Sequence, residues 1–362
     1  MSEIGLPKLE LDTPVLWVEL DRLERNIATM VEHFRRAGIN WRPHTKGVKV
    51  PAIAHKLLAA GAFGITCAKL GEAEVMAAAG IQNILIANQI VGSQKIRRLV
   101  HLCHQADVKV VVDDPENVTQ IGQAAEAAGV VAGLLVEVNT GMNRAGVAPG
   151  APTVELAQHI AQTPGVAFRG LMTWEGHTLS ITDAEEKRSA ITQCIHEFTE
   201  TAERCRALGL AVEIVSAGGS GTYHITPFLP GITEVEAGGA IFCDVTYQQW
   251  GIKLEPALFV QSMVTSRPTP NRIICDAGFK TLPRGYANPQ PVGIDDVEKI
   301  ALSAEHGIIH LSVPNQSLRP GDLFDWVVGY GDATVFLHDN LYGVRNGVVE
   351  AVWPVQGRGK IR

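Results

Sequence analysis

The stretch from Trp41 to Lys49 holds the residues whose types and spacing first point to chemistry. Its lysine, Lys46, comes at the carboxyl end of a short predicted strand, with His44 two residues before it and Gly47 directly after it. A lysine that loses water of hydration at such a position is held more readily as the free amine. The free amine is the form that attacks a carbonyl group to give a Schiff base. A solvated loop lysine would show the same pattern, so both interpretations stay open.

Two glycine-rich segments later in the chain are typical of loops that bind anions. Residues 217–222 read Ala-Gly-Gly-Ser-Gly-Thr directly after a predicted strand, and Gly238 and Gly239 form a second glycine pair. Glycines let backbone N–H groups turn toward a phosphate, although a plain turn would look similar. Arg144 lies in a third glycine-punctuated loop and is either a cation that faces the ligand or a solvated residue. A lysine that forms a Schiff base and a loop that binds phosphate are the minimum that a protein needs to bind pyridoxal 5′-phosphate.

Short apolar strands alternate with helical segments through the first two thirds of the chain. Such alternation is typical of parallel βαβ units, and polar residues follow each strand. About eight units favour an α/β fold with a (β/α)8 barrel of the TIM type, whose active site lies at the carboxyl ends of its strands. An open doubly wound sheet is the alternative. The predicted strands are Val15–Val18, the segment before Lys46, Gly64–Ala68, Ile84–Asn88, Val108–Val112, Gly133–Val138, Phe168–Thr173 and Ala211–Val215.

The pattern changes after about residue 250, where strand-like segments are separated by Pro, Gly and Asn turns. The pair Asn346-Gly347 predicts a tight hairpin between two of these segments. We therefore predict three parts of the chain. Residues 1–20 form a strand that packs with a β-domain, residues 21–250 form the cofactor-binding barrel, and residues 251–362 form a C-terminal all-β domain.

The composition excludes several classes of protein. The 31 basic and 38 acidic residues give a net charge of −7 and form no basic stripe, so no nucleic-acid partner is expected. The six cysteines are scattered without a CxxC pair, which fits a reducing cytoplasm better than a disulfide framework. The first residues lack the pattern of a secretory signal, and no window approaches about 18 apolar residues, so no membrane partner is expected.

A set of short segments carries a resemblance to a known family. The segments are Arg42-Pro43-His44-x-Lys46, Cys67-x-Lys69-x-x-Glu72-Ala73, Asn88-x-x-Val91-Gly92, Arg144-x-Gly146-Val147, Gly218-Gly219-Ser220-Gly221, Asp244-x-x-Tyr247, Asp276-Ala277-Gly278-x-Lys280, Glu305-His306-Gly307 and Leu337-His338-Asp339. As a set they resemble the D-threonine aldolase and D-serine dehydratase family, which has the alanine-racemase-type fold. The likeness runs from about Thr13 to Arg358, nearly the whole chain.

The resemblance implies the fold, the cofactor and the assembly. It implies an alanine-racemase-like barrel with a β-domain, pyridoxal 5′-phosphate bound at Lys46, and a homodimer that acts on a small amino acid. Arg144 is implied to face the phenolic oxygen of the cofactor, and Gly219, Ser220 and Gly221 are implied to bind its phosphate. The residues that we predict to bind the cofactor are Lys46, His44, Arg144, Trp174, Gly219, Ser220, Gly221, Gly238, Gly239 and Asp244.

The sequence departs from the family's pattern at the metal site. The resemblance implies a histidine followed two residues later by aspartate or cysteine, whereas this chain has Tyr330 and Asp332. A neutral phenol is a poor ligand for manganese, magnesium or zinc, and an imidazole is a good one. Asp332 is thus a candidate metal ligand without its expected partner, and Tyr330 could act instead as an acid–base group.

A second departure follows the Phe168–Thr173 strand, where the chain has Trp174-Glu175-Gly176-His177 and many relatives have Tyr-His-Gly. An indole N–H donates but does not accept, so contact between Trp174 and the cofactor's ring nitrogen would favour the unprotonated ring. Glu175 and His177 are ionisable groups in the same neighbourhood. Each is predicted as a catalytic base or a substitute metal ligand, with a solvated loop pair as the alternative.

These residues together predict a pyridoxal-phosphate-dependent lyase that cleaves D-β-hydroxy amino acids by a retro-aldol reaction, as the resemblance implies. The predicted catalytic residues are Lys46, Tyr330, His177 and Glu175. Elimination of water, as in a dehydratase of D-serine or D-hydroxyaspartate, and racemisation at Cα are alternatives, because the fold does not choose the chemistry. The non-enzymatic alternative is a carrier of pyridoxal phosphate, although such proteins are usually a lone barrel.

Overall fold

A computed structural model describes residues 3–362, which divide into two compact units. The barrel unit comprises Met30–Lys46, Ile53–Gly238 and Lys360–Arg362. The β unit comprises the chain up to Thr29 together with Gly47–Ala52 and Gly239–Gly359. Within residues 3–362, no helix is both long enough and apolar enough to cross a membrane.

The α-helices are α1 Leu20–Ala37, α2 Pro51–Ala60, α3 Leu70–Ala78, α4 Ser93–Cys103, α5 Pro115–Ala127, α6 Ala151–Gln162, α7 Ala184–Ala207, α8 Val245–Gln249 and α9 Gly331–Thr334.

The barrel unit is built around a parallel sheet of eight strands. The strands are β2 Asn40–Trp41, β3 Ile65–Cys67, β4 Asn83–Ile86, β5 Asp107–Val112, β6 Ala132–Val138, β7 Val166–Thr173, β8 Ile214–Ala217 and β9 Glu234–Val235. They follow one another in the order β2–β9–β8–β7–β6–β5–β4–β3. A parallel bridge between His44 and Thr66 joins the segment after β2 to β3, so the sheet closes on itself.

Apolar side chains from five neighbouring strands form a buried cluster inside this sheet. Strands buried on both faces, as in a barrel surrounded by helices, are expected to be apolar along their whole length. All seven residues of β6 are buried. Burying one large apolar side chain contributes about 1.5–3 kcal/mol, so the cluster stabilises the alignment of the strands. Its members are Leu85, Val111, Leu135, Met172 and Ile214.

One buried ion pair joins the first strand of the barrel to the last. The Arg42 guanidinium donates to both carboxylate oxygens of Glu234, from Nε at 2.8 Å and from Nη2 at 3.0 Å. Both side chains are almost fully buried, and Arg42 also donates to Asn83 Oδ1 at 2.8 Å. Bidentate geometry of this kind restricts how the two strands can align. Losing one partner would leave an unpaired buried charge, which costs about 3–5 kcal/mol.

The β unit contains a mixed sheet of nine strands. The strands are β1 Val15–Glu19, β10 Leu258–Thr269, β11 Arg272–Cys275, β12 Gln290–Pro291, β13 Val297–Leu302, β14 Gly307–Leu311, β15 Leu323–Val327, β16 Asn340–Arg345 and β17 Val348–Pro354. The order is β13–β14–β11–β10–β1–β16–β17, and β15 pairs with both β10 and β12. Trp17 of β1 stacks on Phe259 of β10, with ring centroids 4.7 Å apart.

The fold class predicted from the sequence is confirmed: a parallel eight-stranded barrel sheet with helices, and a separate sheet near the C-terminus. The predicted hairpin is present between β16 and β17, where Asn346 and Gly347 both have positive φ. The eighth barrel strand, β9, was not predicted. Two residues are too few to show any hydrophobic periodicity, so pairing with β8 and β2 alone defines this strand.

The buried acid Glu236 makes the stability of the chain depend on pH. Burial, followed by the nearby carboxylate of Glu234, raises the pKa of Glu236 from 4.5 to about 7. The folded state therefore holds a proton at Glu236 more tightly than the unfolded state does. The stability that this proton provides is complete below pH 4.5 and is lost as the pH rises through about 7.

We predict that Glu236→Gln raises the free energy of unfolding, relative to the wild type, more at pH 8 than at pH 5. The difference should be on the order of 2 kcal/mol, because one pKa unit corresponds to about 1.4 kcal/mol. Denaturant-induced unfolding at both pH values measures it. Glu126→Gln, at an exposed position on α5, is the control. Equal effects of Glu236→Gln at the two pH values would contradict the prediction.

Candidate active site

Lys46 lies in a turn that follows the first barrel strand. The residue before it is held firmly, because buried Thr45 donates its N–H and its hydroxyl to the Thr66 carbonyl at 2.7 and 3.0 Å. The Lys46 N–H donates to His44 Nδ1 at 3.4 Å, and the Lys46 residue is exposed. Of the two interpretations that the sequence left open, this exposure agrees with the solvated loop lysine, because the chain leaves the sheet after Thr45. The backbone is fixed while the residue stays exposed.

A buried carboxylate holds the glycine-rich loop after β8. Glu175 is fully buried and accepts hydrogen bonds from the Gly218 N–H at 3.2 Å, the Thr222 hydroxyl at 2.7 Å and the Thr226 hydroxyl at 2.6 Å. One side chain thus ties both ends of the loop. The sequence suggested a base or a metal ligand at this position, whereas these contacts support a positioning role. The partners lie far along the chain, so the sequence carried no local signal for it.

Backbone N–H groups beside this loop are available to an anion. Within residues 3–362, no hydrogen-bond acceptor is found for the N–H groups of Gly221 and Gly238, two buried residues of the barrel unit. The N–H of Gly239, which the sequence also predicted as a donor, has no acceptor in that range either, but this residue belongs to the β unit. Buried N–H groups without a partner are rare in folded proteins. A Cβ on Gly238 would overlap the backbone of His44, so only glycine fits there. The donor chemistry therefore fits a phosphate group.

Trp174 and His177 lie against two different loops. The six-membered ring of Trp174 packs on Gly219, where an added Cβ would lie 2.6 Å from Cη2. The His177 ring packs on Gly141, and its Nε2 lies 3.6 Å from Cys194 Sγ. His177 Nδ1 is buried and has no hydrogen-bond partner among residues 3–362. Burial raises the pKa of the Cys194 thiol to about 11, so this pair is not set up as a nucleophile and base.

Arg144 lies in the loop after β6 and is half exposed. Its Nη2 is 3.6 Å from Oε1 of Glu137, a buried residue of β6. Gln89 donates to the other carboxylate oxygen of Glu137 at 2.5 Å. Neither Glu137 nor Gln89 was predicted from the sequence. A signal was present, because Glu137 is the only ionisable residue in the apolar run Gly133–Val138.

In the β unit, Tyr330 and Asp332 form a hydrogen-bonded pair. The Tyr330 hydroxyl donates to Asp332 Oδ2 at 3.1 Å. Asp244 caps the N-terminus of α8 by accepting the Tyr247 N–H at 3.1 Å, and it accepts the Gly331 N–H at 2.6 Å. Burial raises the pKa of Asp244 to about 8. Asp244 was predicted to bind the cofactor, whereas these contacts support a role in fixing the turn between Tyr330 and Asp332.

The pair does not fit the metal that the sequence motif suggested. Burial, followed by the Asp332 carboxylate, raises the pKa of Tyr330 well above its usual value, so the phenol keeps its proton. A protonated phenol that already donates to the neighbouring carboxylate is a poor metal ligand. Within residues 3–362, no three His, Cys, Asp or Glu side chains are grouped to hold a metal ion. Asp332 instead lies against Gly47, the residue after Lys46, where an added Cβ would overlap Oδ1.

The fold and these residues define a class of enzyme. Residues 18–245 match the family described as "Alanine racemase, N-terminal domain", and residues 257–344 match "Putative serine dehydratase domain". The chain therefore belongs to the alanine racemase N-terminal domain family, within the fold-type III group of pyridoxal-phosphate enzymes. The predicted resemblance and the predicted enzymatic class are confirmed.

Individual relatives match three quarters of the chain or more. D-threonine aldolase of Arthrobacter sp is 35% identical and covers 99% of this chain and 96% of that protein. 3-Hydroxy-D-aspartate aldolase of Paracoccus denitrificans is 34% identical, with coverage of 98% and 94%. The crystal structure of D-threonine aldolase from Filomicrobium marinum is 36% identical with a TM-score of 0.96, covering 100% and 99%. D-threo-3-hydroxyaspartate dehydratase of Delftia sp. is 31% identical, with coverage of 76% and 74%.

Glu175→Gln distinguishes a positioning role from a catalytic one. The amide cannot accept all three donors, and a hydrogen bond to a buried charge contributes about 1.5–3 kcal/mol. We expect retention of pyridoxal phosphate to weaken by about tenfold or more, with turnover at saturating cofactor little changed. Equilibrium dialysis and steady-state kinetics measure the two effects. Glu185→Gln, at an exposed residue of α7, is the control. Lost turnover with normal cofactor retention would point to catalysis instead.

Proposed function

We propose that this protein is a pyridoxal 5′-phosphate-dependent lyase that cleaves D-β-hydroxy amino acids to glycine and an aldehyde by a retro-aldol reaction. The observation that carries the proposal is the set of groups that follow the barrel strands. These groups are the exposed residue Lys46 and the N–H groups of Gly221 and Gly238, which have no acceptor within residues 3–362. The aldolase relatives, which match nearly the whole chain, support the same reaction.

The residues of the barrel unit fit the cofactor. Lys46 would hold its aldehyde carbon, and Arg144 would face its phenolic oxygen. The loop Gly219–Gly221 would bind its phosphate together with the amide of Gly238, and the Ser220 hydroxyl would add a donor. A bound cofactor would supply an electron sink for cleavage of the Cα–Cβ bond.

Retro-aldol cleavage also needs a group that takes the proton of the β-hydroxyl. The Tyr330–Asp332 hydrogen bond supports a relay for this step. Tyr330 would accept the substrate proton on its oxygen while it passes its own proton to Asp332. The phenol stays neutral throughout, which agrees with the strongly raised pKa of Tyr330. Asp244 would keep the pair in place through the Gly331 N–H.

The surroundings of Tyr330 favour a substrate with a neutral β-substituent. The rings of Tyr286 and Tyr247 lie 5.2 and 6.2 Å from that of Tyr330, measured between centroids. The Asp332 carboxylate adds negative charge to this aromatic neighbourhood. A substrate with a second carboxylate would lose hydration and meet like charge there. We therefore propose D-threonine-like substrates ahead of 3-hydroxy-D-aspartate.

Two other reactions are the enzymatic alternatives. Dehydration is supported by the dehydratase relative, and a protonated Tyr330 could donate to a leaving hydroxyl. Racemisation is the second alternative, because the family model takes its description from alanine racemase. A carrier of pyridoxal phosphate without catalytic activity has less support, since the relatives that match the whole chain are named as enzymes.

We also propose the setting in which the enzyme works. The family resemblance supports a homodimer, which light scattering would measure. The cysteines at 67, 103, 194, 205, 243 and 275 are all free, which supports the reducing cytoplasm. Residues 21–250 are proposed as the cofactor-binding domain, and residues 251–362 with residues 1–20 as the β-domain.

A substrate panel tests the proposed reaction. The purified protein loaded with pyridoxal phosphate is incubated with D-threonine, D-serine, D-3-hydroxyaspartate and D-alanine, with and without a chelator. We expect glycine and acetaldehyde from D-threonine, slower cleavage of D-3-hydroxyaspartate, and no effect of the chelator. A keto acid as the main product would establish dehydration, and an L-isomer would establish racemisation. Activity lost with the chelator would contradict the relay.

Tyr330→Phe tests the relay within the chain. We expect kcat to fall by about 10²–10⁴-fold, the usual contribution of a positioned acid–base group, with unchanged retention of pyridoxal phosphate. Tyr342→Phe is the matched control, because the Tyr342 hydroxyl also donates to a carboxylate in the β unit, Glu3, at 2.8 Å. Full activity of Tyr330→Phe would refute the acid–base role of this residue.

A further inference from the structure

We infer that Glu137, supported by Gln89, is a positioning residue that holds the Arg144 guanidinium in the orientation in which it meets the cofactor. The inference rests on the proposed binding of pyridoxal phosphate and adds residues that the sequence motifs do not contain. It concerns groups of the barrel unit alone. In Arg144 the backbone is fixed by the loop, whereas the side chain needs a partner to be fixed.

The backbone of the Arg144 loop is fixed by its own hydrogen bonds. The Asn139 side-chain oxygen accepts the N–H groups of Gly141 and Asn143 at 3.1 and 2.9 Å, and Asn143 has a φ of 53°. The N–H of Val147 donates to the Glu137 carbonyl at 3.0 Å and closes the loop at its base. The backbone therefore presents Arg144 at a defined point, while its long side chain keeps its rotamer freedom.

Glu137 is the group that restricts this side chain. Its carboxylate is buried in β6 and lies 3.6 Å from Arg144 Nη2, whereas the Arg144 side chain is 52% exposed. Among residues 3–362, no other carboxylate forms an ion pair with Arg144. Without Glu137, a half-exposed guanidinium would gain hydration and entropy by turning into the solvent. The carboxylate thus keeps the cation near the ends of the strands.

Gln89 bridges Glu137 to a second carboxylate. Its side-chain Nε2 donates to Glu137 Oε2 at 2.5 Å and to Asp113 Oδ2 at 3.3 Å. Asp113 in turn accepts the N–H of Gly146 at 2.9 Å. Gln89, Asp113 and Glu137 come from β4, β5 and β6 or from the residues just after them, and these strands are neighbours in the sheet. Glu137 and Asp113, which the side-chain amide of Gln89 bridges by hydrogen bonds, therefore hold the Arg144 loop at two points. Glu137 holds the Arg144 side chain, and Asp113 holds the Gly146 N–H.

The electrostatic setting agrees with this role. Burial raises the pKa of Glu137, and the hydrogen bond from Gln89 and the charge of Arg144 act against that rise. The Asp113 carboxylate acts in the same direction as burial. A buried carboxylate in this position gains most from a cation that stays close to it, so the attraction restrains both partners.

The pH dependence of the visible absorption of bound pyridoxal phosphate tests the inference. A cation beside the phenolic oxygen favours loss of a proton from the bound cofactor. Replacing it in Arg144→Ala should therefore move the midpoint of the absorption change to higher pH by about one unit. If Glu137 positions Arg144, Glu137→Gln moves the midpoint in the same direction by at least half as much. The same substitution adds no upward shift in the Arg144→Ala background. Gln89→Met gives a smaller upward shift and serves as the second variant if Glu137→Gln does not fold.

Glu213→Gln is the matched control, because Glu213 accepts from Arg169 at 2.9 Å in the same unit and should leave the midpoint unchanged. A downward shift with Glu137→Gln would overturn the inference, since it would mean that the carboxylate acts only through its charge. An unchanged midpoint, or an equal upward shift in the Arg144→Ala background, would overturn it as well. A wild-type protein that forms no visible band with pyridoxal phosphate would overturn the proposed function and the inference together.

Discussion

The bidentate pair between Arg42 and Glu234 is the interaction on which the rest of the barrel unit depends. It joins β2 to β9, the two strands that are farthest apart in the chain and adjacent in the sheet. Lys46 follows Arg42 by four residues, and Gly238 follows Glu234 by four residues. The His44 N–H donates to the Glu236 carbonyl at 3.1 Å and continues the same alignment. One buried charge pair therefore brings the lysine and an amide donor to the same end of the barrel.

Buried acids have a common role in the loops beyond the strands. Glu175 holds the loop after β8, Glu137 faces Arg144, and Asp244 holds the turn between Tyr330 and Asp332. Each acid is fixed by its partners and in turn restricts a residue or loop of the proposed site. Lys46 and Arg144, which we propose to meet the cofactor, are themselves exposed. A site held by such second-layer contacts is preorganised before a ligand binds.

The sequence predicted the fold well because the barrel strands and helices carry strong periodic patterns. It did not predict β9, because two residues have no period, and it could not show the His44–Thr66 bridge that closes the sheet. Motif positions gave Lys46 and Arg144 as candidate cofactor residues, which stay predictions, and showed Tyr330 where the family pattern has histidine. They did not reveal that Glu175 binds hydroxyls 47 and 51 residues away, because side-chain direction is set by tertiary packing. The sequence left open whether Lys46 is dehydrated or solvated for the same reason.

The proposed function depends most directly on a covalent bond between the amine of Lys46 and pyridoxal phosphate. The most direct measurement is reduction of the cofactor-loaded protein with borohydride, followed by proteolysis and mass spectrometry of the peptides. We expect one phosphopyridoxyl group per chain, attached to Lys46. Attachment at Lys49, Lys69 or Lys280 in place of Lys46 would contradict it, and so would a protein from which the cofactor dialyses away without any covalent label.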